Sequence, residues 1–325
     1  MKINVPLLTI GLAACLGITS TSIAADAYPA KPVTVIVPFA VGGPTDTSAR
    51  VVANALGKKL GTSFVVENVP GAGATIGTTR VAQSAADGYT LLWGTSSSLA
   101  IAPHIYTTLK YDPIKSFAPI STVATGPFIL AAKPALGTES LEELITKAKA
   151  APGTLNFAST GRGGSGHLTS ELFAAATGVD AVHIPYNGGA PAMNALLAGD
   201  VDYFFDTPTT IVPMAKAGRV KPLVTTGNER WPGLPEVKTM QELGYKDFES
   251  STWFGLLAPA GTPDAILDKL NDATLAVMAD QEVVQALETA GFAVAPSTRK
   301  QFSERIELDG NKWEKLIQSL DLGQQ

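Results

Sequence analysis

The chain has 325 residues, of which 45% are hydrophobic and 16% are charged, and its formal net charge is -5. This low and negative charge density argues against a nucleic-acid-binding class, because affinity for phosphate backbones comes from clustered Lys and Arg. The length exceeds the roughly 250 to 300 residues at which one hydrophobic core stops growing, so two lobes are expected.

The N-terminal segment has the organisation of a secretory signal peptide. Lys2 is followed by an apolar run over residues 5–18 and by small residues that end near Ala25. The run is shorter than the about 20 residues that a membrane-spanning helix needs. Residues 1–25 are therefore predicted to be a signal peptide, cleaved near Ala25 on export to the periplasm. A second possibility is lipid anchoring at Cys15, the sole cysteine, which follows a lipobox-like sequence.

Short apolar strands alternate with amphipathic helices after the signal peptide, which predicts an α/β fold made of strand-helix-strand units. The first series comprises strands at 33–37, 64–66 and 90–93 and helices at 47–60 and 78–84. A crossing strand is predicted near residues 125–133, where a second lobe begins.

The second series repeats this order. It comprises strands at 155–158, 182–184 and 201–205 and helices at 141–150, 168–176 and 190–198. A second crossing strand at 253–259 leads into helices at 266–279, 282–290 and 301–318. We predict that residues 26–127 and 254–300 form lobe 1 and that residues 128–253 form lobe 2, while the C-terminal helix within 301–325 is left without a lobe. Two crossings form a hinge that permits closure around a ligand.

Two glycine-rich loops, one per lobe, join a predicted strand to a predicted helix. They span residues 37–46 and 157–167, and a looser example spans residues 185–190. The first N-H groups of a helix lack partners and the helix dipole is positive there, so anions bind at such loops without Arg or Lys. Each loop alone could be only a tight turn. Two loops that face each other across a cleft predict an anion site.

Polar residues after two further strands stand where ligand-binding loops are expected. Ser96 and Ser97 follow the strand at 90–93, and Asp206 and Thr207 follow the strand at 201–205. The hydroxyl groups could bond a carboxylate, and Asp206 could receive an ammonium group. Ordinary turn chemistry, which favours Ser, Thr and Asp, is the other explanation.

Catalytic and metal-binding spacings are missing from the sequence. The loop at 163–167 has histidine where the G-x-S-x-G elbow of hydrolases needs a final glycine. The three histidines, His104, His167 and His183, lack metal-site spacing. His167 is interpreted as a brace of its loop, and Asp46 as an N-terminal brace of its helix. We therefore predict no catalytic residue, no metal and no cofactor.

Several short motifs follow one another from Tyr28 to the C-terminal half. They are Tyr28-Pro29, Val37-Pro38-Phe39, Glu67-Asn68, Pro70-Gly71-Ala72-Gly73, Ala86-Asp87-Gly88-Tyr89-Thr90, Ile184-Pro185-Tyr186 and Gly199-Asp200-Val201-Asp202. In this order they resemble the Bug receptors, the solute-binding proteins of tripartite tricarboxylate transporters. The resemblance runs from about Tyr28 to the C-terminus.

The resemblance implies a type II periplasmic-binding-protein fold, in which backbone amides, hydroxyls and bridging waters hold a ligand carboxylate in a cleft between two lobes. Carried over by position, and joined to the loop residues above, it gives one set of predicted ligand-binding residues. This set is Phe39, Ala40, Gly42, Gly43, Asp46, Ser96, Ser97, Ser159, Gly161, Gly163, Gly164, Ser165, His167, Tyr186, Asp206 and Thr207. The chain departs from the family pattern at Gly164. Family members often have a serine at this position, whereas in this chain the serine comes one residue later, as Ser165.

The predicted function is that of a monomeric receptor, not an enzyme, that delivers a small carboxylate to integral membrane transporter subunits. The ligand class stays open among organic acids, acidic amino acids and aromatic acids. A sensor that feeds a two-component system is the alternative, and a periplasmic hydrolase is a more remote one.

Overall fold

The structure is a computed structural model that describes Met1, residues 28–246 and residues 248–319. The predicted signal peptide after Met1, including Cys15, lies outside the described residues. In the part of the chain that is described, no helix is long and apolar enough to cross a membrane.

The described residues form two sheets surrounded by helices. The strands are β1 (Val33–Val37), β2 (Phe64–Asn68), β3 (Thr90–Thr95), β4 (Phe117–Pro127), β5 (Ile129–Ala132), β6 (Leu155–Ser159), β7 (Ala181–Pro185), β8 (Tyr203–Asp206), β9 (Lys221–Thr225), β10 (Ser251–Pro259) and β11 (Ala293–Val294). The helices are α1 (Pro44–Leu60), α2 (Thr75–Ala82), α3 (Ala102–Ile105), α4 (Leu141–Ala150), α5 (Ser165–Thr177), α6 (Gly189–Ala198), α7 (Pro208–Lys216), α8 (Asp264–Met278), α9 (Gln281–Thr289) and α10 (Arg299–Ser319). A π-helical turn at Ser97–Ile101 precedes α3.

The first lobe is built on a six-stranded sheet with the order β11-β4-β10-β3-β1-β2. Strand β1 runs parallel to β2 and β3, whereas β10 is antiparallel to β3 and β4. Strand β1 is apolar on both faces because helices cover both: Val35 packs under α1 and α8, and Ile36 packs on the opposite side.

The second lobe is built on a five-stranded sheet with the order β7-β6-β8-β5-β9. Phe205 of β8 belongs to the core beneath α4 and α5, and Phe204 belongs to the core beneath α6 and α7. Neighbouring side chains of β8 thus enter opposite cores, because successive side chains of a strand point to opposite faces of the sheet. The predicted two-lobed α/β architecture is therefore confirmed.

Two crossing segments connect the lobes. The first is Phe128, the one residue between β4 and β5, and the second is Ser250, directly before β10. Thr226 ties them together: its N-H donates to Phe128 O (2.9 Å), its hydroxyl accepts from Phe128 N-H (2.9 Å), and that hydroxyl donates to Ser250 O. The two crossings are thus held side by side.

The C-terminal helix α10 packs on the six-stranded sheet. Its buried side chains, Phe302, Ile306, Trp313 and Ile317, follow one another at spacings of four or seven residues and form one face of the helix. The indole N-H of Trp253 in β10 donates to Asp309 of α10 at 2.7 Å. Helix α10 therefore completes the core of the first lobe.

Helix boundaries differ from the sequence prediction mainly at N-termini. Helix α1 begins at Pro44 and not at Thr47, because a proline fits the first turn, where its missing N-H has no partner to lose. Helix α2 begins at Thr75 and not at residue 78, directly after a turn in which Ala72 and Ala74 have positive φ. Such a turn has no helical periodicity that the sequence could reveal.

Candidate functional site

A small cavity lies between the two lobes. Its empty space is about 380 Å³. The residues that line it are Phe39, Gly43, Pro44, Thr45, Thr95, Ser97, Phe128, Thr160, Ser165, Gly189, Asp206, Thr207, Thr252 and Phe254. Both lobes contribute, so a molecule bound there would contact both.

One wider surface groove lies within a single lobe. It has about 1590 Å³ of empty space and is lined by charged residues such as Glu139, Lys216 and Lys238, all of which belong to the second lobe. A ligand in that groove would leave the first lobe untouched. The smaller cavity is lined by both lobes and by residues of the predicted glycine-rich loops, so it is the candidate site for a protein that closes around its ligand.

Four helices begin at the cavity wall. The lining includes the first residues of α1, α5 and α6 and the residue before α7. The residues that precede these helices are Gly43, Gly164, Gly188 and Thr207, and none of their side chains caps its own helix. The first-turn N-H groups and the positive ends of four helix dipoles thus converge on one space, which attracts an anion. No Lys, Arg or His lines the described cavity.

The lobes touch each other around the cavity through hydrogen bonds. Ser165 N-H of α5 donates to Ser97 Oγ at 2.9 Å, and the hydroxyls of these two serines lie 3.1 Å apart. Ala40 N-H donates to Asn187 O at 2.9 Å across the same boundary. The two predicted glycine-rich loops therefore face a shared crevice.

Close backbone approach explains several glycines at this boundary. A Cβ on Gly43 would lie 3.3 Å from Gly189 N in the opposite lobe. Gly188 has a φ of +138°, and a Cβ there would lie 3.2 Å from Ala40 N. Larger side chains would hold the lobes apart, so glycine permits the contact.

Asp46 braces the first-lobe loop and does not line the cavity. Its carboxylate accepts hydrogen bonds from Gly42 N-H, Arg50 and Asn68, each at 3.0 Å. Burial alone would raise the pKa of Asp46, but the bonds from Arg50, Gly42 and Asn68 outweigh burial and lower that pKa below its usual value. Asn68 also donates to Phe39 O, so this network fixes the loop from both sides.

A histidine pair braces the second-lobe loop. Gly163 N-H donates to His167 Nδ1 at 3.2 Å, and His167 Nε2 lies 3.2 Å from Glu171. The His167 ring stacks on His183 at 4.0 Å, and Ser159 Oγ lies 2.6 Å from His183 Nε2. Burial first, and then the charges of His167 and Arg162, lower the pKa of His183 to about 3. His183 is therefore a neutral partner of Ser159.

The structure places the predicted ligand-binding residues in two groups. Those that line the cavity are Phe39, Gly43, Ser97, Ser165, Asp206 and Thr207. Those that lie outside its lining are Ala40, Gly42, Asp46, Ser96, Ser159, Gly161, Gly163, Gly164, His167 and Tyr186. Ser96, for example, bonds the hydroxyl of Thr252 at 2.8 Å behind the wall. Most of the second group shapes the loops that carry the first.

Eight lining residues were missed from the sequence. They are Pro44, Thr45, Thr95, Phe128, Thr160, Gly189, Thr252 and Phe254. Pro44, Thr45, Thr160 and Gly189 lie within the three predicted loops and could have been found there. Phe128 is the first crossing residue, and Thr252 and Phe254 belong to β10, where no local pattern marks a residue that faces a cavity.

Two α/β lobes joined by paired crossings, with a crevice of helix N-termini between them, define the class of periplasmic solute-binding proteins. Residues 48–322 match the tripartite tricarboxylate transporter family receptor, TctC. This match covers most of the chain, and the chain belongs to that family, as the motifs in its sequence predicted.

Individual relatives agree with this assignment. Protein BugT of Bordetella pertussis is 38% identical over 292 residues, which are 90% of this chain and 90% of that protein. The periplasmic binding protein BugD is similar with a TM-score of 0.89 and 36% identity, over 92% of this chain and 100% of that one.

Two similar structures hold dicarboxylates. Rpa4515 of R. palustris, solved with adipate, has a TM-score of 0.88 and 33% identity over 90% of this chain and 98% of that chain. MatC of Rhodopseudomonas palustris, solved with bound malate, has a TM-score of 0.85 and 34% identity over 89% of this chain and 100% of that chain.

Proposed function

We propose that this protein is a periplasmic receptor that binds a small carboxylate between its lobes and delivers it to the integral membrane subunits of a tripartite tricarboxylate-type transporter. Each chain carries both halves of the site, so a monomer is sufficient for binding. The observation that carries the proposal is the convergence of four helix N-termini, none capped by the side chain of the residue before it, on a cavity without a cationic side chain.

Dicarboxylates are the ligand class that we favour. Adipate and malate occupy two relatives at 33% and 34% identity. Each such ligand carries two anionic groups, and the cavity offers helix starts from both lobes to receive them. A bound dicarboxylate would therefore hold the lobes together, which links capture to closure.

The proposal is tested by calorimetric titration of protein that has been unfolded, dialysed and refolded to remove any co-purified ligand. We expect at least one of succinate, malate and adipate to bind and to raise the melting temperature. The matched control is the diamide of the same acid, which has the same shape without the negative charge and should not bind. Failure of every carboxylate in a broad panel, or equal binding of acid and diamide, would overturn the proposal.

Ser97 contributes a hydroxyl that bonds the start of α5 only when the lobes meet. In Ser97→Ala, the N-H of Ser165 loses its acceptor in the closed form. An unpaired buried donor costs about 1 to 3 kcal/mol, so we expect a ligand affinity about tenfold weaker. Calorimetric titration measures it. Ser63→Ala, at an exposed position of the same lobe, is the control and should leave affinity unchanged. An unaltered affinity in Ser97→Ala would contradict this role.

A further inference from the structure

Asp206 ends strand β8 with one carboxylate oxygen unpaired. The residue is 2% exposed and lines the cavity. Its Oδ1 accepts the N-H of Thr207 at 2.8 Å, and no hydrogen bond of good geometry reaches its Oδ2, although the hydroxyl of Thr210 lies near the carboxylate. A Cβ on Gly189 would lie 2.5 Å from Oδ2, so a glycine at the start of α6 provides the space for this atom. A buried polar atom without a hydrogen bond at a binding cavity is available to bond a ligand.

No charged side chain compensates Asp206 from the described elements around it. The start of α1 presents Gly43, Pro44 and Thr45, and the starts of α5 and α6 present Ser165 and Gly189. Thr207 precedes α7, Phe128 is the first crossing residue, and Thr252 and Phe254 lie in β10. The ionisable groups in the first turns of α1 and α5 are Asp46, which is paired with Arg50, and His167, which is paired with Glu171. Asp206 is thus the one titratable residue in the cavity lining.

We propose that Asp206 binds the ligand as a neutral carboxylic acid, so that each closure on a carboxylate takes up one proton from solvent. This inference rests on the proposed function. The Oδ2-H group donates to a ligand carboxylate oxygen, and the only covalent change is the formation of that O-H bond. An ionised Asp206 beside an anionic ligand would place two like charges in a cavity without a cation, which is strongly unfavourable.

The electrostatic environment of Asp206 supports the same assignment. Burial raises the pKa of Asp206 to about 7, although hydrogen bonds from the N-H of Thr207 and the hydroxyl of Thr210 oppose the rise. A ligand anion beside Oδ2 raises that pKa further, whereas opening of the lobes to water returns it toward its usual value. The closed, liganded form therefore holds the proton more tightly than the open form. Acid conditions favour binding, and affinity falls as pH increases between the two pKa values.

The experiment compares wild-type protein with Asp206→Asn, whose amide can donate to a carboxylate at every pH. Dissociation constants for succinate, malate and adipate are measured by calorimetry from about pH 6 to about pH 8, in two buffers of different ionisation enthalpy. For the wild type we expect affinity to fall by up to about tenfold per pH unit, with uptake of about one proton. For Asp206→Asn we expect less than about a twofold change and no proton uptake. The ratio of the two constants at each pH cancels the ligand's own titration.

Asp180→Asn is the matched control, because it removes one exposed carboxylate from the same lobe and should keep the wild-type profile. Thermal unfolding of each variant verifies folding, and a second substitution, Asp206→Ser, retains a donor if the amide is tolerated poorly. Parallel pH profiles of wild type and variants would overturn this inference alone. Tighter binding of aspartate than of succinate, lost in Asp206→Asn, would also overturn it, because Asp206 would then be an ionised partner of an ammonium group. Absence of binding by every acid would overturn both proposals.

Discussion

Gly291→Ala is expected to weaken carboxylate binding by about 30-fold or more while leaving both lobes folded. Gly291 follows α9 in the first lobe and has a φ of +92°. A Cβ there would lie 2.6 Å from Thr209 N and 2.8 Å from Pro208 C, which belong to the start of α7 in the second lobe. Because both atoms are backbone, the clash is relieved by parting the lobes. Overpacking of this kind costs about 2 kcal/mol, which acts on the closed form alone.

The left-handed backbone at Gly291 adds a strain of about 1 kcal/mol that the open and closed forms share. Gly61→Ala isolates this strain, because Gly61 also ends a first-lobe helix, has a φ of +71° and has nothing within 4 Å of its Cβ position. Calorimetric titration and small-angle scattering with and without ligand provide the readout. Gly61→Ala should bind and contract as the wild type does. Normal affinity and contraction in Gly291→Ala would show that closure does not bring these segments together.

Gly255→Ala is expected to lower the free energy of unfolding by about 3 kcal/mol, the largest loss of stability that we predict. Gly255 lies in the middle of β10, where a Cβ would collide with the ring of Phe302 and lie 2.8 Å from Ser121 O. Phe302 packs edge-on against Trp253 at 5.2 Å, so its displacement loosens α10 from the six-stranded sheet. Overpacking typically costs about 1 to 3 kcal/mol. We expect a cost at the upper end of this range, because the backbone atom cannot move aside as a side chain can.

Thermal and denaturant unfolding measure this loss, which corresponds to a melting temperature about 5 °C lower for a chain of about 300 residues. The control is Gly126→Ala in the neighbouring strand β4, where the nearest atoms to a Cβ are 3.7 Å away. It should remain within about 1 kcal/mol of the wild type. Equal stability of the two variants would contradict the packing that we describe between β10 and α10.

Local patterns were sufficient to predict most of the fold. The β-branched run of β1 and the helical periodicity of α8 and α9 predicted these elements to within two residues. The lobe that α10 joins could not be predicted, because it depends on contacts between Trp253 and residues such as Phe302 and Asp309 that are about 50 positions away. Periodicity shows that a helix has an apolar face but not which sheet covers it.

The candidate site was also predicted in part. Glycine-rich loops before α1 and α5 predicted uncapped helix starts, which depend on a few consecutive residues. The role of Asp46 as a brace was predicted from its place at a helix start, whereas Asp206 was only an acid after a strand, with ligand contact and turn chemistry left open. Only the fold shows that Arg50 and Asn68 pair with Asp46, whereas Oδ2 of Asp206 is unpaired. The role of each acid therefore depends on long-range contacts that local sequence does not contain.

The crystal structure of the protein with a dicarboxylate that binds in solution would test the central claim most directly. We expect one ligand carboxylate between the lobes, with its oxygens about 3 Å from first-turn N-H groups of α1 in one lobe and of α5 or α6 in the other. A ligand bound on one lobe alone, or held by a Lys or Arg side chain outside this crevice, would contradict it.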